Sequence, residues 1–332
     1  MQREERVREQ FFGYDDRAMP RFDITLAGEL NLDLILYGLP DELPPERELL
    51  ADDMTLTLGG SSTIGAHNLA ALGRGVGFIS RIGADPLGEI ALEQLAGSGV
   101  DVSNVRRLPG SETGITVTLE RGRWRNMLTY AGTIAELAYD DLDLDYLTDS
   151  RHFHFCSYYL QRRLQPRVPE LLQHLKSAGL TISLDTNDDP EDTWRGLDEV
   201  LPYVDVLLPN AREVKKIAGS DDLETAITRL AARVPLVVVK QGEAGALAQQ
   251  GGQRYSSPAV RVTPIDAVGA GDSFNAGFLS EYVRGASIPT CLKMGNLSGA
   301  LSTTRPGGVE AFRDAQYRAS FLRAHDTVDA QR

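Results

Sequence analysis

The sequence predicts an α/β fold: a doubly wound, mostly parallel sheet with helices on both faces, and a small β-sheet lid. Strand-like apolar runs and helical segments alternate regularly from about residue 132 to residue 239. Such alternation requires parallel strands joined by crossover helices. Earlier in the chain, short runs with strict apolar and polar alternation predict separate strands that face water on one side. The lid is therefore expected from the first half of the chain.

Apolar runs bounded by glycine, proline and polar residues define the predicted strands, and longer runs with helical spacing define the helices. Residues 114–119 and 125–130 alternate around a turn at Arg121 and Gly122, which predicts a hairpin. The other predicted strands are 22–28, 34–39, 54–58, 76–80, 151–156, 180–184, 204–208 and 236–239. The predicted helices are 64–72, 89–95, 165–178, 190–201, 211–218, 223–233, 274–283, 288–303 and 311–324.

One large domain is the economical division of this chain. It has 332 residues, 42% of them hydrophobic, and no long polar linker interrupts the apolar pattern. We expect an N-terminal arm over residues 1–21, the α/β domain over residues 22–310, and a C-terminal helix and tail over residues 311–332. The lid is expected from about residues 31–39, 54–58 and 113–131.

The composition disfavours several classes of partner. The formal net charge of −13 argues against nucleic acid and anionic membranes, which bind clustered basic surfaces. Cys156 and Cys291 are far apart in apolar settings, so neither a disulfide framework nor a thiolate metal site is expected. No run approaches the ~18 apolar residues of a membrane span. A small molecule is the expected partner, and the cytoplasm is the expected location.

A glycine-rich turn, Asp266-Ala-Val-Gly-Ala-Gly-Asp272, runs directly into an apolar helical segment. Gly269 and Gly271 allow positive φ and let a ligand approach the backbone. The N–H groups of Ala270, Gly271 and Asp272 would point outward at a helix N-terminus, which is an anion-binding arrangement. Asp272 could be only an N-cap. A carboxylate beside a phosphoryl-binding turn also suits a general base, and we interpret it as one.

Two other nucleotide-binding motifs are absent from the sequence. The turn lacks the third glycine of the dinucleotide fingerprint, because Phe274 stands at that position. No G-x-x-x-x-G-K-[ST] segment occurs, so a nucleotide would have to bind without a Walker loop. A dehydrogenase is therefore disfavoured.

Polar residues follow several predicted strands at their carboxyl ends, where ligands bind in open α/β sheets. Asn31 and Asp33 alternate with leucines after the first strand, and Gly59, Gly60 and Ser61 precede a helix. Three successive later strands end in a further polar group, which comprises Asp185, Asn187, Asn210, Glu213, Lys240, Gly242 and Gly245. Amide, carboxylate and lysine side chains at one sheet edge predict a site for a phosphorylated, metal-bearing ligand.

These motifs, in this order, resemble those of the ribokinase-like (PfkB) carbohydrate kinases from Phe22 to Gly308. The matching signatures are residues 266–277 and, less specifically, residues 59–88. The resemblance implies a Rossmann-like α/β domain with a β-sheet lid. It also implies transfer of the γ-phosphoryl group of ATP to a sugar hydroxyl, as in a fructokinase, a ribokinase or a 2-keto-3-deoxygluconate kinase.

The resemblance implies a role for each matching residue. Asp272 would be the base, with Gly269, Ala270 and Gly271 as the anion hole. Asn210 and Glu213 would organise Mg²⁺ through water, and Asp266 with Val268 could hold K⁺. The residues implied in ATP binding are Asp185, Asn187, Asn210, Lys240, Gly242, Gly245 and Asn296. Those implied in substrate binding are Asn31, Asp33, Gly59, Gly60, Ser61 and Tyr130.

One departure from the family leaves the substrate open. The family often has Gly-Gly-x-x-x-Asn with an Asn that touches the sugar, whereas this sequence has Ile64 there, and Asn68 lies one turn later. A nucleoside kinase is one alternative, since the lid aromatics Tyr37, Trp124 and Tyr130 could stack on a base. A nucleotide- or sugar-binding regulator without catalysis is the other. The open face and edge of the lid sheet also predict a homodimer through the lid.

Overall fold

The computed structural model describes residues 19–121 and 124–326. Most of the predicted N-terminal arm, Gly122 of the hairpin turn and the end of the predicted tail lie outside these residues. Within them the chain forms a nine-stranded main sheet and a separate four-stranded sheet. The four-stranded sheet is the predicted lid.

The lid consists of β2, β3, β6 and β7, and the remaining strands form the main sheet. The strands are β1 (Phe22–Ala27), β2 (Asn31–Tyr37), β3 (Asp53–Gly59), β4 (Val76–Gly83), β5 (Asp101–Leu108), β6 (Ile115–Arg121), β7 (Trp124–Tyr130), β8 (Ser150–Cys156), β9 (Thr181–Asp185), β10 (Val206–Leu207), β11 (Leu236–Lys240), β12 (Ala246–Gln250) and β13 (Gln253–Ser257).

The main sheet has the order β13-β12-β11-β10-β9-β8-β1-β4-β5. All neighbours pair in parallel except at one edge, where β12 pairs antiparallel with both β11 and β13. The lid has the order β3-β2-β6-β7. In it, β6 and β7 form the predicted hairpin, and β2 lies parallel to β6. The mostly parallel main sheet confirms the predicted fold class.

Helices connect most of the parallel strands, as the alternation predicted. They are α1 (Ser61–Ala71), α2 (Pro86–Gly97), α3 (Leu144–Thr148), α4 (Val168–Ser177), α5 (Ala211–Ala218), α6 (Leu223–Ala231), α7 (Ala270–Tyr282), α8 (Ile288–Ser302), α9 (Glu310–Arg313) and α10 (Ala315–Asp326). Among the described residues, none of these helices has both the length and the apolar character needed to cross a bilayer.

Helices cover both faces of the main sheet. On β11, Val237 and Val239 pack in one apolar cluster, and Leu236 and Val238 pack in another. Successive side chains of a strand point to opposite faces, so these clusters lie on opposite sides of the sheet. The first cluster includes residues of α4, α5 and α6, and the second includes residues of α1, α2, α7 and α8. A strand buried on both faces explains the continuous apolar run at residues 236–239.

The predicted helix over residues 190–201 is wrong. The Asp189 carboxylate accepts hydrogen bonds from the backbone N–H groups of Glu191, Thr193 and Trp194 at 2.6 to 2.9 Å. These bonds hold the segment in an irregular loop, because a side-chain acceptor replaces the carbonyl acceptors that a helix would use. A single 3₁₀ turn, Leu201–Tyr203, follows.

Three strands were missed in the sequence. They are β5 and β13, which are the two edge strands of the main sheet, and β12, which lies next to β13. Most residues of β5 and β13 are partly or fully exposed. Edge strands bury few side chains and therefore show a weak apolar pattern.

Replacing Gly277 with Ala tests the contact between α7 and α8. A Cβ at Gly277 would lie 2.3 Å from Ser298 Oγ and 2.5 Å from the Met294 carbonyl oxygen, so the helices would have to separate. We expect the free energy of unfolding, measured with urea, to fall by about 1–3 kcal/mol. Gly97→Ala in α2 is the control, since a Cβ there meets nothing within 4 Å. Equal destabilisation by both changes would contradict close packing at Gly277.

Candidate active site

Three neighbouring strands bring their polar residues together at one sheet edge. Asp185 ends β9, Asn210 follows β10, and Lys240 ends β11 and forms a β-bridge with Asn210. The Lys240 ammonium group forms an ion pair with the buried Asp185 carboxylate. Asp185 also accepts a hydrogen bond of 2.6 Å from Asn275 Nδ2. Burial lowers the pKa of Lys240, but the Asp185 and Glu213 carboxylates outweigh it, so the pKa lies above its ordinary value.

The glycine-rich turn begins α7 as predicted. Gly269 precedes the helix with a φ of 68°, and Asp272 lies within the first turn, so Asp272 is not the N-cap. The Ala270 N–H donates to the Ala267 carbonyl oxygen at 3.3 Å. The predicted anion hole therefore loses one donor. The N–H groups of Gly271 and Asp272 lie in the first turn, where helix geometry provides no intrahelical acceptor.

Asn187 connects the starts of α1 and α7. Its Nδ2 donates to Ser61 Oγ at 2.9 Å and to Asp272 Oδ1 at 3.4 Å. Its Oδ1 accepts from the Ser157 N–H at 2.8 Å. The backbone of Asn187 has a φ of 53°, a conformation that Asn adopts more readily than most non-glycine residues. The sequence assigned Asn187 to ATP, and the structure places it against Asp272.

The Asp272 carboxylate lies in a negatively charged environment. Burial and the Asp185 carboxylate raise the pKa of Asp272 to about 6, although Lys240 and a hydrogen bond with Ser61 oppose the shift. A carboxyl group with this pKa is mostly ionised at neutral pH and is more basic than an ordinary aspartate. These are the properties of a general base that works near pH 7.

Asn31 and Asp33 lie on one face of β2, as their alternation predicted. Their side chains lie close to the backbone of Gly60 and Gly59. A Cβ at Gly59 would lie 2.0 Å from Asp33 Oδ1, and one at Gly60 would lie 2.3 Å from Asn31 Oδ1. A side chain at Gly60 would be strained, because its φ is 79°, and a Cβ at Gly59 would displace the Asp33 side chain. Asn31 is buried, and its Oδ1 has no hydrogen-bond partner among the described residues. A substrate hydroxyl could satisfy this acceptor.

Asp33 is also buried among like charges. Burial, together with the carboxylates of Asp272, Asp266 and Glu29, raises the pKa of Asp33 to about 7, although a hydrogen bond with Thr116 opposes the shift. Asp33 is therefore partly protonated near neutral pH. It can accept a hydrogen bond from a hydroxyl group in one form and donate one in the other.

Glu29 was missed as a site residue in the sequence. Its buried carboxylate accepts hydrogen bonds from the backbone N–H and the hydroxyl of Ser62, from Ser157 Oγ and from Gln161 Nε2, at 2.7 to 3.0 Å. These bonds fix the start of α1 against the loop that follows β8. The available signal was a Glu directly after Gly28 at the end of β1.

Asn210 and Glu213 form a capping box at the start of α5. The Asn210 side chain accepts from the N–H groups of Arg212 and Glu213, and the Glu213 carboxylate accepts from the Asn210 N–H. Burial and the Asp185 carboxylate raise the pKa of Glu213 to about 7. The described residues contain no group of three His, Cys, Asp or Glu arranged to hold a metal ion. Oxygen donors without a full protein cage suit Mg²⁺, which keeps water and phosphate ligands.

Gly242, Gly245 and Asn296 shape the loops beside the strand ends. Gly245 has a φ of 88°, and a Cβ there would lie 2.2 Å from the Ser257 carbonyl oxygen. Gly242 has a φ of 58° and begins a 3₁₀ turn. Asn296 Nδ2 on α8 donates to the carbonyl oxygens of Ser257 and Pro258 at 3.0 and 3.1 Å. A contact between Asn296 and adenine stays a prediction.

Asp266 ties the glycine-rich turn to the loop before α9. Its buried carboxylate accepts from the N–H groups of Val268 and Gly307, both at 2.8 Å. The structure thus brings Asp266 and Val268 together, but through the Val268 N–H. A buried carboxylate is stabilised by a cation, so the charge of Asp266 is compatible with a K⁺ site.

Ile64 and Asn68 serve packing rather than the polar site. Ile64 is buried, and a Cβ at Gly269 would lie 3.0 Å from Ile64 Cδ1. The Asn68 Nδ2 donates to Ser273 Oγ and to the Gly308 carbonyl oxygen. Asn68 therefore ties α1 to α7 and to the loop at Gly308.

The structure does not bring Tyr130 to the substrate site. Thr116 pairs in register with Asp33 on one side and with Thr129 on the other, and the two threonine hydroxyls lie 3.1 Å apart. Because side chains alternate along a strand, the next residue, Tyr130, points to the opposite face of the lid. Its hydroxyl donates to Glu112. The prediction that Tyr130 binds substrate in its own chain conflicts with this geometry.

Comparison with known proteins identifies the family. The profile of the pfkB family of carbohydrate kinases matches residues 22–315. The chain belongs to this family. A fructokinase from Klebsiella pneumoniae is 32% identical, covering 76% of this chain and 88% of its own. A 2-dehydro-3-deoxygalactonokinase from Haloferax volcanii is 30% identical, covering 80% and 88%.

The solved structures agree with the fold. An E. coli structure described as a ribokinase II in complex with ATP and Mg²⁺ has a TM-score of 0.80 with this protein, at 24% identity, covering 91% of this chain and 99% of its own. The predicted family and the ribokinase-like fold are confirmed. The protein is an ATP-dependent kinase of this carbohydrate kinase family.

Asp33→Asn tests the buried carboxyl group. Because folding raises the pKa of Asp33 to about 7, the ionised side chain destabilises the folded state. This destabilisation is absent below the unfolded-state pKa, grows as the pH rises, and is complete above pH 7. We expect Asp33→Asn to raise the free energy of unfolding at pH 8 by about 1–3 kcal/mol, with a smaller gain at pH 5, measured with urea.

Asp53→Asn, at the exposed start of β3, is the matched control and should change stability little at either pH. An Asp33→Asn protein that is less stable than the wild type at pH 8 would show that the Asp33 carboxylate is not held in an unfavourable environment.

Proposed function

We propose that this kinase phosphorylates a hydroxyl group of a sugar with Asp272 as the general base. The position of Asp272 supports the proposal: it lies in the first turn of α7, where helix geometry gives the Gly271 and Asp272 N–H groups no intrahelical acceptor, and its pKa is raised to about 6. Asn31 and Asp33 lie on the side where the sugar would bind, and Lys240 lies on the side of the nucleotide. The fructokinase relative is consistent with this class of reaction.

In the proposed reaction, the acceptor oxygen attacks the γ-phosphorus of ATP and the bond to the β-phosphate oxygen breaks. Asp272 accepts the proton of the attacking hydroxyl. The N–H groups of Gly271 and Asp272 donate to the transferring phosphoryl group, so the charge that develops meets donors already in place. Asn187 keeps Asp272 beside Ser61, and Asn31 and Asp33 hold the other sugar hydroxyls.

Asn210 and Glu213 are the residues that would organise Mg²⁺ through its water ligands. When bound to the phosphates of ATP, Mg²⁺ neutralises part of their negative charge. Asp185 positions Lys240 through their ion pair, and the loop of Gly242 and Gly245 follows the same strand. We assign these residues and Asn296 to the nucleotide side of the site.

Asp272→Asn tests the base directly. The change keeps the size of the side chain and removes its ability to take a proton, so we expect kcat to fall by ~100-fold or more. ATP should still bind, which equilibrium binding measures separately from turnover. In the wild type, kcat should fall as the pH drops through about 6, because the base becomes protonated.

Asp53→Asn is again the control and should keep both kcat and its pH profile. Turnover of Asp272→Asn within a few-fold of the wild type would remove Asp272 from the mechanism. If kcat of the wild type showed no inflection near pH 6, the raised pKa of Asp272 would have no role in the mechanism.

We also propose that K⁺ binds beside the catalytic turn at Asp266. The buried carboxylate of Asp266 accepts hydrogen bonds from the N–H of Val268, next to Gly269, and from the N–H of Gly307, next to Gly308. A cation there would stabilise the turn. Replacing K⁺ with a bulky organic cation should lower kcat, and Asp266→Asn should abolish the response. Activity that is equal in both salts would reject the K⁺ site.

A nucleoside kinase is the alternative within the family. By strand alternation, Tyr37 lies on the lid face of Asp33, whereas Trp124 and Tyr130 lie on the opposite face. One of the three lid aromatics therefore faces the site, which favours a sugar over a base. A coupled ADP-release assay with fructose, ribose and adenosine separates these classes. A non-catalytic regulator would bind ATP and release no ADP with any acceptor.

We propose a homodimer through the lid. Met54, Leu128 and Tyr130 lie on the lid face opposite Asp33 and are 57%, 57% and 52% exposed. A patch of large apolar side chains on a sheet face is typical of a subunit interface. We expect a dimer by sedimentation at micromolar concentration and dissociation by Leu128→Arg. Met127→Arg, on the opposite face and 62% exposed, should remain dimeric. A monomeric wild type would contradict the proposal.

A further inference from the structure

Carboxylates line the sugar side of the site. Glu29 and Asn31 flank one glycine, because a Cβ at Gly60 would lie 2.7 Å from Glu29 Cγ and 2.3 Å from Asn31 Oδ1. Asp33 presses on the preceding residue, Gly59. The charges that act most strongly on Asp33 are carboxylates, which belong to Asp272, Asp266 and Glu29. An acceptor bound against Asn31 and Asp33 would therefore lie among negative charges.

Lys240, a cation close to these carboxylates, already has ion-pair and hydrogen-bond partners. Lys240 forms its ion pair with Asp185 and a hydrogen bond of 3.3 Å with Asn275 Oδ1. It lies at the end of β11, on the nucleotide side, where the phosphates of ATP would compete for it. Lys240 is therefore not placed to neutralise an anionic group on the sugar.

Of the described cations on β6 and β7, Arg121 lies on the lid face opposite Asp33, and Arg125 lies on the Asp33 face but farther along the strands. Arg125 pairs in register with Glu120, and Thr116 pairs with Asp33. Glu120 is four residues along β6 from Thr116, which corresponds to ~13 Å along a strand. Arg121 donates to the Asp41 carbonyl oxygen and to Asn126. Arg121 is therefore turned away from a sugar that contacts Asp33, and the cross-strand neighbour of Arg125 is the Glu120 carboxylate, which offsets its charge.

We propose that the acceptor is an uncharged polyol, and that sugars carrying a carboxylate or a phosphate group are rejected. This inference rests on the proposed function, because it concerns the acceptor of the same site. Asn31 Oδ1, which has no partner among the described residues, and the partly protonated Asp33 are suited to hydroxyl groups. Among the described residues, an anion would instead meet Glu29, Asp33 and Asp272, while Lys240 is paired with Asp185 and Arg125 lies opposite Glu120.

Matched acceptor pairs test the inference. Fructose and 2-keto-3-deoxygluconate both carry a terminal hydroxymethyl group, but the second also carries a carboxylate. Ribose and ribose 1-phosphate form a second pair in which the 5-hydroxyl stays free. Because one unfavourable charge contact in a site of intermediate dielectric changes a rate by on the order of 100-fold, we expect the better neutral acceptor to exceed its anionic partner in kcat/KM by that factor.

A charge-introducing variant adds an internal control. Thr116→Lys places an ammonium group beside Asp33 on the lid face of the site. It should reduce the preference for the neutral member of each pair by ~10-fold or more. Gln173→Lys, on the exposed surface of α4, adds the same charge elsewhere and should leave the preference unchanged.

Direct binding keeps the inference testable if turnover is absent. Calorimetry with each acceptor, in the presence of Mg²⁺ and a non-hydrolysable ATP analogue, reports the sugar site alone. Binding of a neutral sugar but not of its anionic partner supports the inference even if no ADP is released, an outcome that would overturn the proposed catalysis. The inference is overturned if the anionic partner binds more tightly, or if none of the four acceptors binds. ADP release tests the proposed catalysis independently of this result.

Discussion

The burial of several carboxylates at one sheet edge is the constraint on which the site depends. A buried carboxylate destabilises the fold unless donors or a cation compensate it. Asp185 has Lys240, Asn275 and the Asn187 N–H, and Glu29 has the network from Ser62, Ser157 and Gln161. Asp33 and Asp272 are less well compensated, and the pKa of each is raised. The two carboxylates in an unfavourable environment, Asp33 and Asp272, are therefore the ones that would contact the substrate.

The same packing fixes the starts of two helices. Gly60 precedes α1 and Gly269 precedes α7, with φ values of 79° and 68°. Each is enclosed by neighbours that leave no room for a Cβ, which are Glu29 and Asn31 at Gly60 and the backbone of Gly308 at Gly269. Asn187 bridges the two first turns. The geometry of Asp272 therefore depends on the packing of α1 as well as on its own helix.

Much of the fold could be predicted because neighbouring parallel strands place their carboxyl ends together. This rule brought Asp185, Asn210 and Lys240 to one edge from spacing alone. The loop at residues 190–201 could not be predicted, because one side chain, Asp189, captures its backbone N–H groups. The outer strands carried too little apolar pattern to be recognised.

Site residues could be predicted where their role follows from a local turn of the chain. They could not be predicted as well where the role depends on hydrogen bonds to residues far away in the sequence. Gly269 and Asp272 belong to a local turn, which the sequence shows directly. Glu29 depends on Ser157 and Gln161, which are far away in the chain, so no local pattern reveals it. The predicted contact between Tyr130 and the substrate conflicts with the structure for a related reason. The face of the lid on which Tyr130 lies depends on the register between β6 and β7, which the sequence does not show locally.

Carbon-13 NMR titration of the aspartate carboxyl groups measures whether Asp33 and Asp272 lie in an unfavourable environment. Assignment would use Asp33→Asn and Asp272→Asn to identify the two resonances. We expect Asp33 to titrate with a pKa of about 7 and Asp272 with a pKa of about 6 in the ligand-free protein. Two resonances that both titrate near 4, as ordinary aspartates do, would contradict the proposed electrostatic basis of the site.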